Sequence, residues 1–512
     1  MDTRLRVRGW LSVRTPLHVG GIALDPAEAL PLATDGQGRV YVPGTSLAGA
    51  LRSWMRGTDT RRDALKDLWG FVADGVSNDG NTSRVVIRDA VIATTTRSDG
   101  YGVPIDPIDP VTLPARHGVG IDRFTGAAAP EFLYTRMVVP RGSYLCFEMD
   151  IESTAEHRDS DRARLAALLA ALSDEEIPLG AATRRGLGTV SLLTSPLLVH
   201  EHNLTEPAGL LALLNGRPAQ AHLSGASLPD RRSLLKIRID WEPAAPVMVR
   251  ESGEGPAIGT LPLTTRLNGE FVALALTGGS IKGALRSHAE FIERTARGIC
   301  APGRPAEDAA PREHSDSFRA QLDQLPTVRR LFGSGRGKRG GGAGALTAHE
   351  CVSRTEIPSK VWTALTDAPP GAVPEERPKL SDADRNALET LGMDQADHVA
   401  IDRWTGGAAS GRLYSVLEPH KVEWEPFRLT VDLSRLGDEH DAELALLLLV
   451  LRDLENERIP LGGMVTRGFG DIKVSPITLT GDRWPNGASL HEALDDRDLN
   501  QAWKTYLDEV TV

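Results

Sequence analysis

The sequence predicts an α+β protein made of two tandem domains that share one pattern of motifs. Three motifs occur twice, in the same order: PGTSLAGALRSW from Pro43 and GGSIKGALRSH from Gly278, GIDRFTGAA from Gly120 and AIDRWTGGA from Ala400, and IPLGAATRRGLG from Ile177 and IPLGGMVTRGFG from Ile459. Because a solenoid needs three or more short repeats, two copies of domain length indicate a duplicated domain. We expect the first domain over residues 1–226 and the second over residues 232–512.

The separation between the copies shows where they differ in length. It is 234 residues between Ser46 and Ser280 in the first motif, 280 between Asp122 and Asp402 in the second, and 282 in the third. The second domain therefore carries an insertion before Asp402.

Each domain is expected to begin with a β-strand and continue into a helix. The segments LRVRGWLSV from Leu5 and LLKIRIDW from Leu234 alternate apolar and polar residues, as a half-buried strand does. The first repeated motif then predicts a helix with one apolar face in each domain. Ser46 and Ser280 are expected to cap these helices.

The later segments complete a β-α-β-β-α-β order. The remaining strands are predicted in RVVIRDAVIA from Arg84, LTAHECVS from Leu346, YLCFEMDI from Tyr144, FRLTVDL from Phe427, and the closing GTVSLL and GDIKVS; the second helices are predicted in RLAALLAALS from Arg164 and AELALLLLVLRDLE from Ala442. This order is that of the split βαβ, or ferredoxin-like, fold, in which helices cover one face of an antiparallel sheet.

Three segments are expected to project from this core. The residues between the strand near Arg84 and Asp122 are rich in proline and glycine, which predicts an exposed hairpin or loop. Residues 329–344 predict a mobile basic loop in the second domain. The proline-rich, acidic residues 368–397 predict an insertion in or beside a second hairpin.

Composition and charge limit the classes of function. A net charge of −11 argues against indiscriminate binding to nucleic acid, although arginines cluster beside the repeated motifs and allow a local basic groove. No run of about 18 apolar residues and no signal-peptide core occurs, so we expect a cytoplasmic protein that does not bind a membrane. Cys146, Cys300 and Cys351 form no CxxC pair, which disfavours a zinc site.

Taken together, the motifs resemble those of the RAMP superfamily, specifically the backbone subunit of type III CRISPR effector complexes. The resemblance rests on LHVGG from Leu17, PGTSLAGALRSW from Pro43, IDRFTGAA from Ile121, VVPRGSYLCFE from Val138 and the turn from Gly180 to Gly188. It extends over both halves of the chain. The chain therefore resembles a fusion of two backbone subunits, as found in type III-D systems.

The resemblance implies a fold, a role and partners. The family domain is a ferredoxin-like, RRM-like palm with a protruding thumb hairpin. Successive backbone subunits polymerise along a guide RNA, and their thumbs wedge into the duplex between guide and target. The implied partners are guide (CRISPR) RNA, complementary target RNA and other Cas subunits of an antiviral effector complex.

Two of the repeated motifs offer groups that suit RNA phosphates. Lys282 and Arg286 share one helix face, whereas the first domain has Ala48 in place of the lysine. Glycines in the third motif would let the main chain approach a sugar-phosphate, and its arginines would bind phosphate oxygens. The expected RNA-binding residues are Ser46, Arg52, Arg184, Arg185, Gly186, Gly188, Ser280, Lys282, Arg286, Arg467, Gly468 and Gly470.

The loop after the first strand bears on whether the chain also cuts RNA. Resembling sequences that cleave target RNA place a metal-assisted aspartate there, but the matching positions here are Ala29 and Thr260. Asp25 and Glu28 lie near enough in the first loop to substitute as catalytic residues, with Mg²⁺ or Mn²⁺ as cofactor. This loop is compatible with a subunit that cleaves RNA and with one that does not. We expect the second domain not to cleave RNA.

The second repeated motif is expected to be structural. Asp122 and Asp402 are predicted to fix the base of a polar turn. Phe124 and Trp404 occupy the same place in the two copies and suit either core packing or base stacking, and we expect core packing.

Two other functions stay open. A RAMP-type endoribonuclease that processes guide RNA also uses tandem ferredoxin-like domains, but such enzymes are usually shorter and commonly use histidine or lysine, and no histidine is duplicated here. An enzyme with duplicated ferredoxin-like domains would hold a small anionic ligand at the glycine-rich turns, but neither GxxxxGKS nor a strand-led GxGxxG occurs. We favour the RNA-binding backbone subunit.

Overall fold

A computed structural model describes residues 2–22, 29–59, 65–72, 80–99, 102–216, 219–223, 225, 231–267, 269–303, 305–306, 308–335, 341–367, 380–437 and 439–511. Contacts divide the chain into two units. The first comprises Met1–Ala115, Thr135–Thr183 and Leu187–Arg232; the second comprises Arg116–Tyr134, Arg184–Gly186 and Ser233–Val512. Because this division follows contacts and not chain order, the domain limits 1–226 and 232–512 stay a prediction.

Both repeats mix strands with helices. The first contains strands β1 (Thr3–Val13), β2 (Tyr41–Val42), β3 (Val85–Ile87), β4 (Ala90–Ala93), β5 (Ala115–Ile121), β6 (Ala128–Met137), β7 (Tyr144–Ser153), β8 (Val190–Leu192), β9 (Leu198–Asn203) and β10 (Ala219–Gln220), and helices α1 (Gly44–Arg56), α2 (Lys66–Trp69), α3 (Arg158–Ser173) and α4 (Pro207–Leu214).

The second repeat contains strands β11 (Leu234–Pro243), β12 (Thr264–Arg266), β13 (Phe271–Leu276), β14 (Gly333–Ser334), β15 (Gly342–Ala343), β16 (Leu346–Ala348), β17 (Cys351–Val352), β18 (Ile357–Pro358), β19 (Met393–Ile401), β20 (Ala408–Pro419), β21 (Phe427–Asp432), β22 (Ile472–Gly481) and β23 (Trp484–Ser489). Its helices are α5 (Gly278–Ala296), α6 (Pro311–Asp323), α7 (Pro326–Phe332), α8 (Ser359–Thr366), α9 (Asp382–Thr390), α10 (Asp441–Glu455), α11 (Leu490–Leu494) and α12 (Arg497–Thr511). The α+β class is confirmed.

Strand β1 is central in the sheet of the first unit. It pairs antiparallel with β7 on one side and with β8 and β9 on the other, while β3 and β4 pair with β7. Named by their place in the β-α-β-β-α-β order, the strands therefore lie fourth, first, third, second, which is the ferredoxin-like order. Leu5 and Val7 of β1 face a core that includes Leu47 of α1 and Leu165 of α3.

The other face of this sheet carries ion pairs across the β1–β7 ladder. Arg4 lies opposite Glu152, Arg6 opposite Asp150, and Arg8 opposite Glu148. Their N···O distances are 2.7, 2.7 and 3.0 Å. Opposite charges that face each other across antiparallel strands stabilise a sheet. These arginines therefore belong to the framework of the first unit.

The second unit repeats the arrangement around β11. This strand pairs antiparallel with β21 on one side and β22 on the other, and β16 pairs with β21. The order is again fourth, first, third, second. Leu235, Ile237 and Ile239 alternate into a core to which the apolar faces of α5 and α10 contribute.

The predicted helix caps were wrong in both repeats. Helix α1 begins at Gly44, with Pro43 at the N-cap position, because the Gly44 N–H is satisfied by Asp89 Oδ1 at 2.7 Å. In α5 the cap is Thr277, whose Oγ1 accepts a hydrogen bond from Ser280 N at 3.1 Å. Ser46 and Ser280 thus lie inside the first helical turn.

The structure describes part of each segment that was expected to project. Strands β5 and β6 form a two-stranded sheet of their own, and β19 and β20 form another. Of residues 329–344, the ends form part of α7 and the pair β14–β15, while 336–340 lie outside the described residues. Of residues 368–397, 368–379 lie outside them and the rest includes α9 and the start of β19. In the part of the chain that is described, no helix is long and apolar enough to cross a membrane.

Candidate nucleic-acid interface

Four of the expected RNA-binding side chains lie together in the second unit. We call Arg184, Arg185, Lys282 and Arg286 the basic cluster. Burial lowers the pKa of Lys282 most, and the positive charges of Arg286, Arg184 and Arg185 lower it further, to about 7. The turn at 184–186 lies against the start of α5, since a Cβ on Gly278 would lie 2.6 Å from Arg185 O.

Glycine permits the close backbone packing that builds this site. Gly186 has a φ of +82°, and a Cβ added there would lie 2.6 Å from Glu350 N. A Cβ on Gly278, at the start of α5, would lie 2.1 Å from Ala348 O and 2.6 Å from Arg185 O. Side chains cannot be accommodated at such distances, so both glycines are required for the turn, α5 and the residues after β16 to meet.

The other glycines of the third motif differ in what surrounds them. A Cβ on Gly188 would lie 1.9 Å from Leu179 O, and one on Gly470 would lie 2.6 Å from Leu461 O. Beside Gly468 there is open space. Protein backbone therefore fills the space next to Gly186, Gly188 and Gly470.

Arg184 stabilises a buried carboxylate. Its Nη1 donates to Thr347 Oγ1 at 2.9 Å, and its Nη2 donates to Asp432 Oδ2 at 3.2 Å. Asp432 is buried and also pairs with Arg435 at 3.3 Å. Since a buried carboxylate needs a cationic partner, Arg184 has a structural role whatever else it binds.

Lys282 and Arg286 are also held by protein groups. The Lys282 side chain is buried, and its Nζ donates to Leu346 O at 2.6 Å. Arg286 donates from Nε to Glu290 Oε1 at 2.8 Å and from Nη1 to Gly333 O at 2.8 Å. Both side chains therefore fix α5 against its neighbours.

Arg185 is exposed and belongs to a contact that recurs in the second repeat. Its Nη1 donates to the hydroxyl of Tyr134. The corresponding Arg467 is also exposed, and its Nη1 donates to the hydroxyl of Tyr414 at 2.8 Å. Arg52 is likewise exposed, on α1, where its Nη2 donates to Gly70 O at 3.3 Å. These three guanidinium groups are the most accessible of the expected RNA-binding cations.

The second repeated motif forms the same turn twice, as expected. Asp122 Oδ1 accepts hydrogen bonds from the backbone N–H groups of Phe124 at 3.0 Å and Thr125 at 2.9 Å. Asp402 Oδ1 accepts them from Trp404 and Thr405, and the bonds from Thr405 and Trp404 lower the pKa of this carboxyl. The structural role predicted for both aspartates is confirmed.

The expectation of core packing for the aromatic residues of this motif was wrong. Phe124 is 63% exposed and Trp404 is 96% exposed. Both lie at the tip of a two-stranded hairpin, where no second layer covers the ring. In the sequence each ring lies between an arginine and a threonine, and these neighbours do not reveal that it is exposed.

One further ion pair was not predicted from the sequence. Arg123 Nε donates to Glu290 Oε2 at 2.8 Å, and Glu290 is 2% exposed. The Arg123 N–H donates to Gln321 Oε1 at 3.1 Å. The spacing of Arg286 and Glu290 on α5 is a signal for an ion pair on the helix, but nothing local points from Glu290 to Arg123.

The candidate catalytic residues Asp25 and Glu28 lie outside the described residues. Within the loop, Asp35 fixes a turn, because its Oδ2 accepts from Arg39 Nε at 2.8 Å and its Oδ1 accepts from Gln37 N. Thr260 is buried, with its N–H bonded to Ser415 O at 2.9 Å. The described residues contain no group of three or more His, Cys, Asp or Glu side chains that could hold a metal ion.

Comparison with known families agrees with this architecture. The RAMP superfamily matches residues 10–191 and 273–473, one region in each repeat and well over half of the chain. Comparison with curated protein sequences gives no match. RAMP domains are ferredoxin-like, and in general they belong to CRISPR-associated RNA-binding proteins. With a family match in each repeat and a ferredoxin-like strand order in each unit, the chain belongs to the RAMP superfamily.

Proposed function

We propose that the chain is a double backbone subunit of a type III antiviral effector complex, which holds guide RNA and pairs it with complementary target RNA. The basic cluster is the observation that carries this proposal. Two motifs that lie 94 residues apart, measured from Arg184 to Gly278, meet so that four basic side chains share one site in a chain of net charge −11. A local concentration of cations against an acidic background suits a polyanion bound at one place.

The accessible arginines make the phosphate contacts in this proposal. Arg185 and Arg467 are exposed at equivalent positions of the third motif, and Arg52 is exposed in the first motif of the first repeat. Tyr134 and Tyr414 position two of these guanidinium groups without neutralising them, since a phenol hydroxyl carries no charge at neutral pH. Arg184 and Arg286 are paired with Asp432 and Glu290, and Lys282 is buried, so these three side chains hold the site together.

RNA binding by the full chain tests this assignment. We expect R185A and R467A each to weaken the binding of a fluorescent single-stranded RNA several-fold, for any sequence, and to reduce the slope of log affinity against log salt by about 1 per lost contact. R238A is the matched control, because Arg238 is an exposed arginine of β11 outside the repeated motifs. If R185A and R467A retain the wild-type slope, as the control R238A should, the assignment is wrong.

Cleavage of target RNA by the first domain is a separate proposal. It assigns the chemistry to Asp25, with Glu28 beside it, and Mg²⁺ or Mn²⁺ would supply charge stabilisation for phosphoryl transfer. In the assembled guide-bound complex, D25A should abolish one cut in a labelled target while leaving assembly intact. An unchanged cut would remove Asp25 from the chemistry.

A further inference from the structure

A cavity lies at the same place in each repeat. In the first unit, a cavity of about 300 Å³ lies between the start of α3, the end of β9, α4 and β10. In the second unit, a cavity of about 300 Å³ lies between the start of α10 and the turn from β22 to β23.

The offset of 282 residues between the two third motifs shows that these cavities are equivalent. Arg158 and Arg162 of α3 line the first cavity. At that offset their counterparts are His440 and Leu444, which line the second cavity. The duplicated fold therefore forms a cavity at this place twice.

The two cavities differ in the chemistry of their walls. Four large apolar side chains line the second cavity: Leu235, Leu433, Leu444 and Trp484. Among the described residues that line the first cavity, alanine is the only apolar type. Its polar wall includes Arg158, Arg162, Glu201, His202, Asn203 and Gln220. We call this first cavity the arginine cavity.

The charged groups of the arginine cavity do not balance. Glu201 is 9% exposed and binds both guanidinium groups, with its Oε1 2.8 Å from Arg158 Nε and its Oε2 2.6 Å from Arg162 Nη2. One carboxylate neutralises only one of the two cations. Asp159 lies 3.3 Å from Arg162, but its side chain is 95% exposed, so water screens its charge. The wall therefore has an excess positive charge that an anion would balance.

One arginine also has hydrogen-bonding capacity left over. In the part of the chain that the structure describes, Arg158 bonds to Glu201 through Nε and Nη2. Its Nη1 stays available to another acceptor, because a guanidinium group carries five N–H donors.

His202 adds a buried polar group that lacks a partner. It is 5% exposed, and among the described residues neither of its ring nitrogens has a hydrogen-bond partner. Burial, and then the positive charge of Arg6, lower the pKa of this imidazole, so at pH 7 the ring is neutral and offers one donor and one acceptor. Buried polar groups are normally hydrogen-bonded. A ligand in the cavity would lie beside this ring.

We propose that the arginine cavity binds a nucleoside monophosphate. The guanidinium groups of Arg158 and Arg162 suit the phosphate, because their fork geometry matches its oxygens. The amides of Asn203 and Gln220 suit the edge of a base. Asn203 Oδ1 already accepts from Thr205 N at 3.1 Å, which leaves the amide NH₂ of Asn203 for a ligand.

The size of the cavity favours a single nucleotide. A volume of about 300 Å³ is at the lower end of the range for small-molecule sites, about 300 to 1,000 Å³. This inference does not depend on the proposed function, since all the lining residues belong to the first unit and none is in the basic cluster.

A purely structural role explains less of the wall. It accounts for the contacts of Glu201, but one arginine would satisfy that carboxylate. The second repeat forms its cavity with His440 and Leu444 at the two arginine positions, so the fold does not need arginine there. It also leaves the ring nitrogens of His202 without a partner.

Isothermal titration of the full chain at pH 7 tests this inference, with AMP, adenosine and ribose 5-phosphate as probes. We expect one AMP to bind per chain and adenosine to bind at least tenfold more weakly, because it lacks the phosphate. R162L installs the residue of the second repeat and should weaken AMP binding at least tenfold. H440A is the matched control, because His440 is the counterpart of Arg158, and it should leave AMP binding unchanged.

A second variant keeps the test decisive if R162L does not fold. Gln220 is exposed on β10, and Q220A should weaken the binding of AMP severalfold without changing that of ribose 5-phosphate. Equal effects of Q220A on the two probes would count against recognition of the base.

Three results would overturn the inference. The first is no heat of binding with AMP at about 1 mM, and the second is equal affinity for AMP and adenosine. The third is displacement of AMP by a 5′-phosphorylated RNA but not by the same RNA with a 5′-hydroxyl, which would assign the cavity to an RNA end. R185A should leave AMP binding unchanged, so failure here is distinguishable from failure of the proposed function.

Discussion

Replacing Lys282 with methionine should make the protein more stable. Lys282 is 8% exposed, and its pKa falls from the ordinary 10.5 to about 7, with burial as the main cause. One pKa unit corresponds to about 1.4 kcal/mol of free energy. The shift of the Lys282 pKa from 10.5 to about 7 therefore means that the charged side chain lowers the folding stability by roughly 5 kcal/mol at low pH. Methionine has a similar length and avoids this cost.

The loss of the hydrogen bond from Lys282 to Leu346 O offsets part of this gain in stability. Losing it leaves a buried carbonyl without its partner, which costs about 1 to 3 kcal/mol. We therefore expect K282M to stabilise the second unit by about 2 kcal/mol or more at pH 6. The wild-type penalty is fully present below pH 7 and fades as pH rises towards 10.5, so the advantage of K282M should shrink between pH 7 and pH 10.

Urea unfolding at pH 6 and pH 9.5 measures this effect. K236M is the control, because Lys236 is exposed on β11 and its replacement should change stability by less than about 0.5 kcal/mol at either pH. If K282M is no more stable than wild type at pH 6, the charge of Lys282 is fully compensated by its surroundings and the reasoning is refuted.

Two further predictions compare equivalent positions of the repeats. G186A should lower the free energy of unfolding by about 2 to 4 kcal/mol, because its Cβ would lie 2.6 Å from Glu350 N. G468A should lower it by only about 1 to 2 kcal/mol, because only the positive φ opposes the substitution. Equal losses in urea unfolding would contradict the packing described at the turn. R123A should lower the stability by about 2 kcal/mol or more, because the buried Glu290 loses one of its two arginine partners. R403A should change the stability by less than about 0.5 kcal/mol. If thermal unfolding shows the same effect for both variants, the two hairpin tips do not differ in environment as described.

The sheet order followed from local patterns. Alternation in β1 and β11 and the apolar stretches of α3 and α10 indicate buried faces that each element carries in its own sequence. The duplication then fixed the correspondence between the two sets of elements. Once one unit has the split βαβ order, the other is expected to share it.

Contacts between distant segments could not be predicted in the same way. The start of α1 depends on Asp89, which lies 45 residues further along the chain. The burial of Lys282 depends on Leu346 O, 64 residues away, although its helix face alone suggests an accessible cation. The pairing of Arg123 with Glu290 joins residues 167 positions apart. Periodicity describes one element at a time, so it is silent about which elements meet.

The exposure of Trp404 shows the same limit in another form. A tryptophan within a repeated motif suggests core packing, since large aromatic rings gain most from burial. Its true position depends on the length of β19 and β20, which places the turn beyond any second layer.

The central claim is that RNA meets this chain at the basic cluster and its equivalent turn. Ultraviolet crosslinking of guide RNA to the full chain, followed by identification of the modified peptides, tests it most directly. We expect crosslinked peptides that contain residues 184–188, 278–286 or 466–470. Crosslinks confined to other parts of the chain, with these three peptides recovered unmodified, would contradict the account.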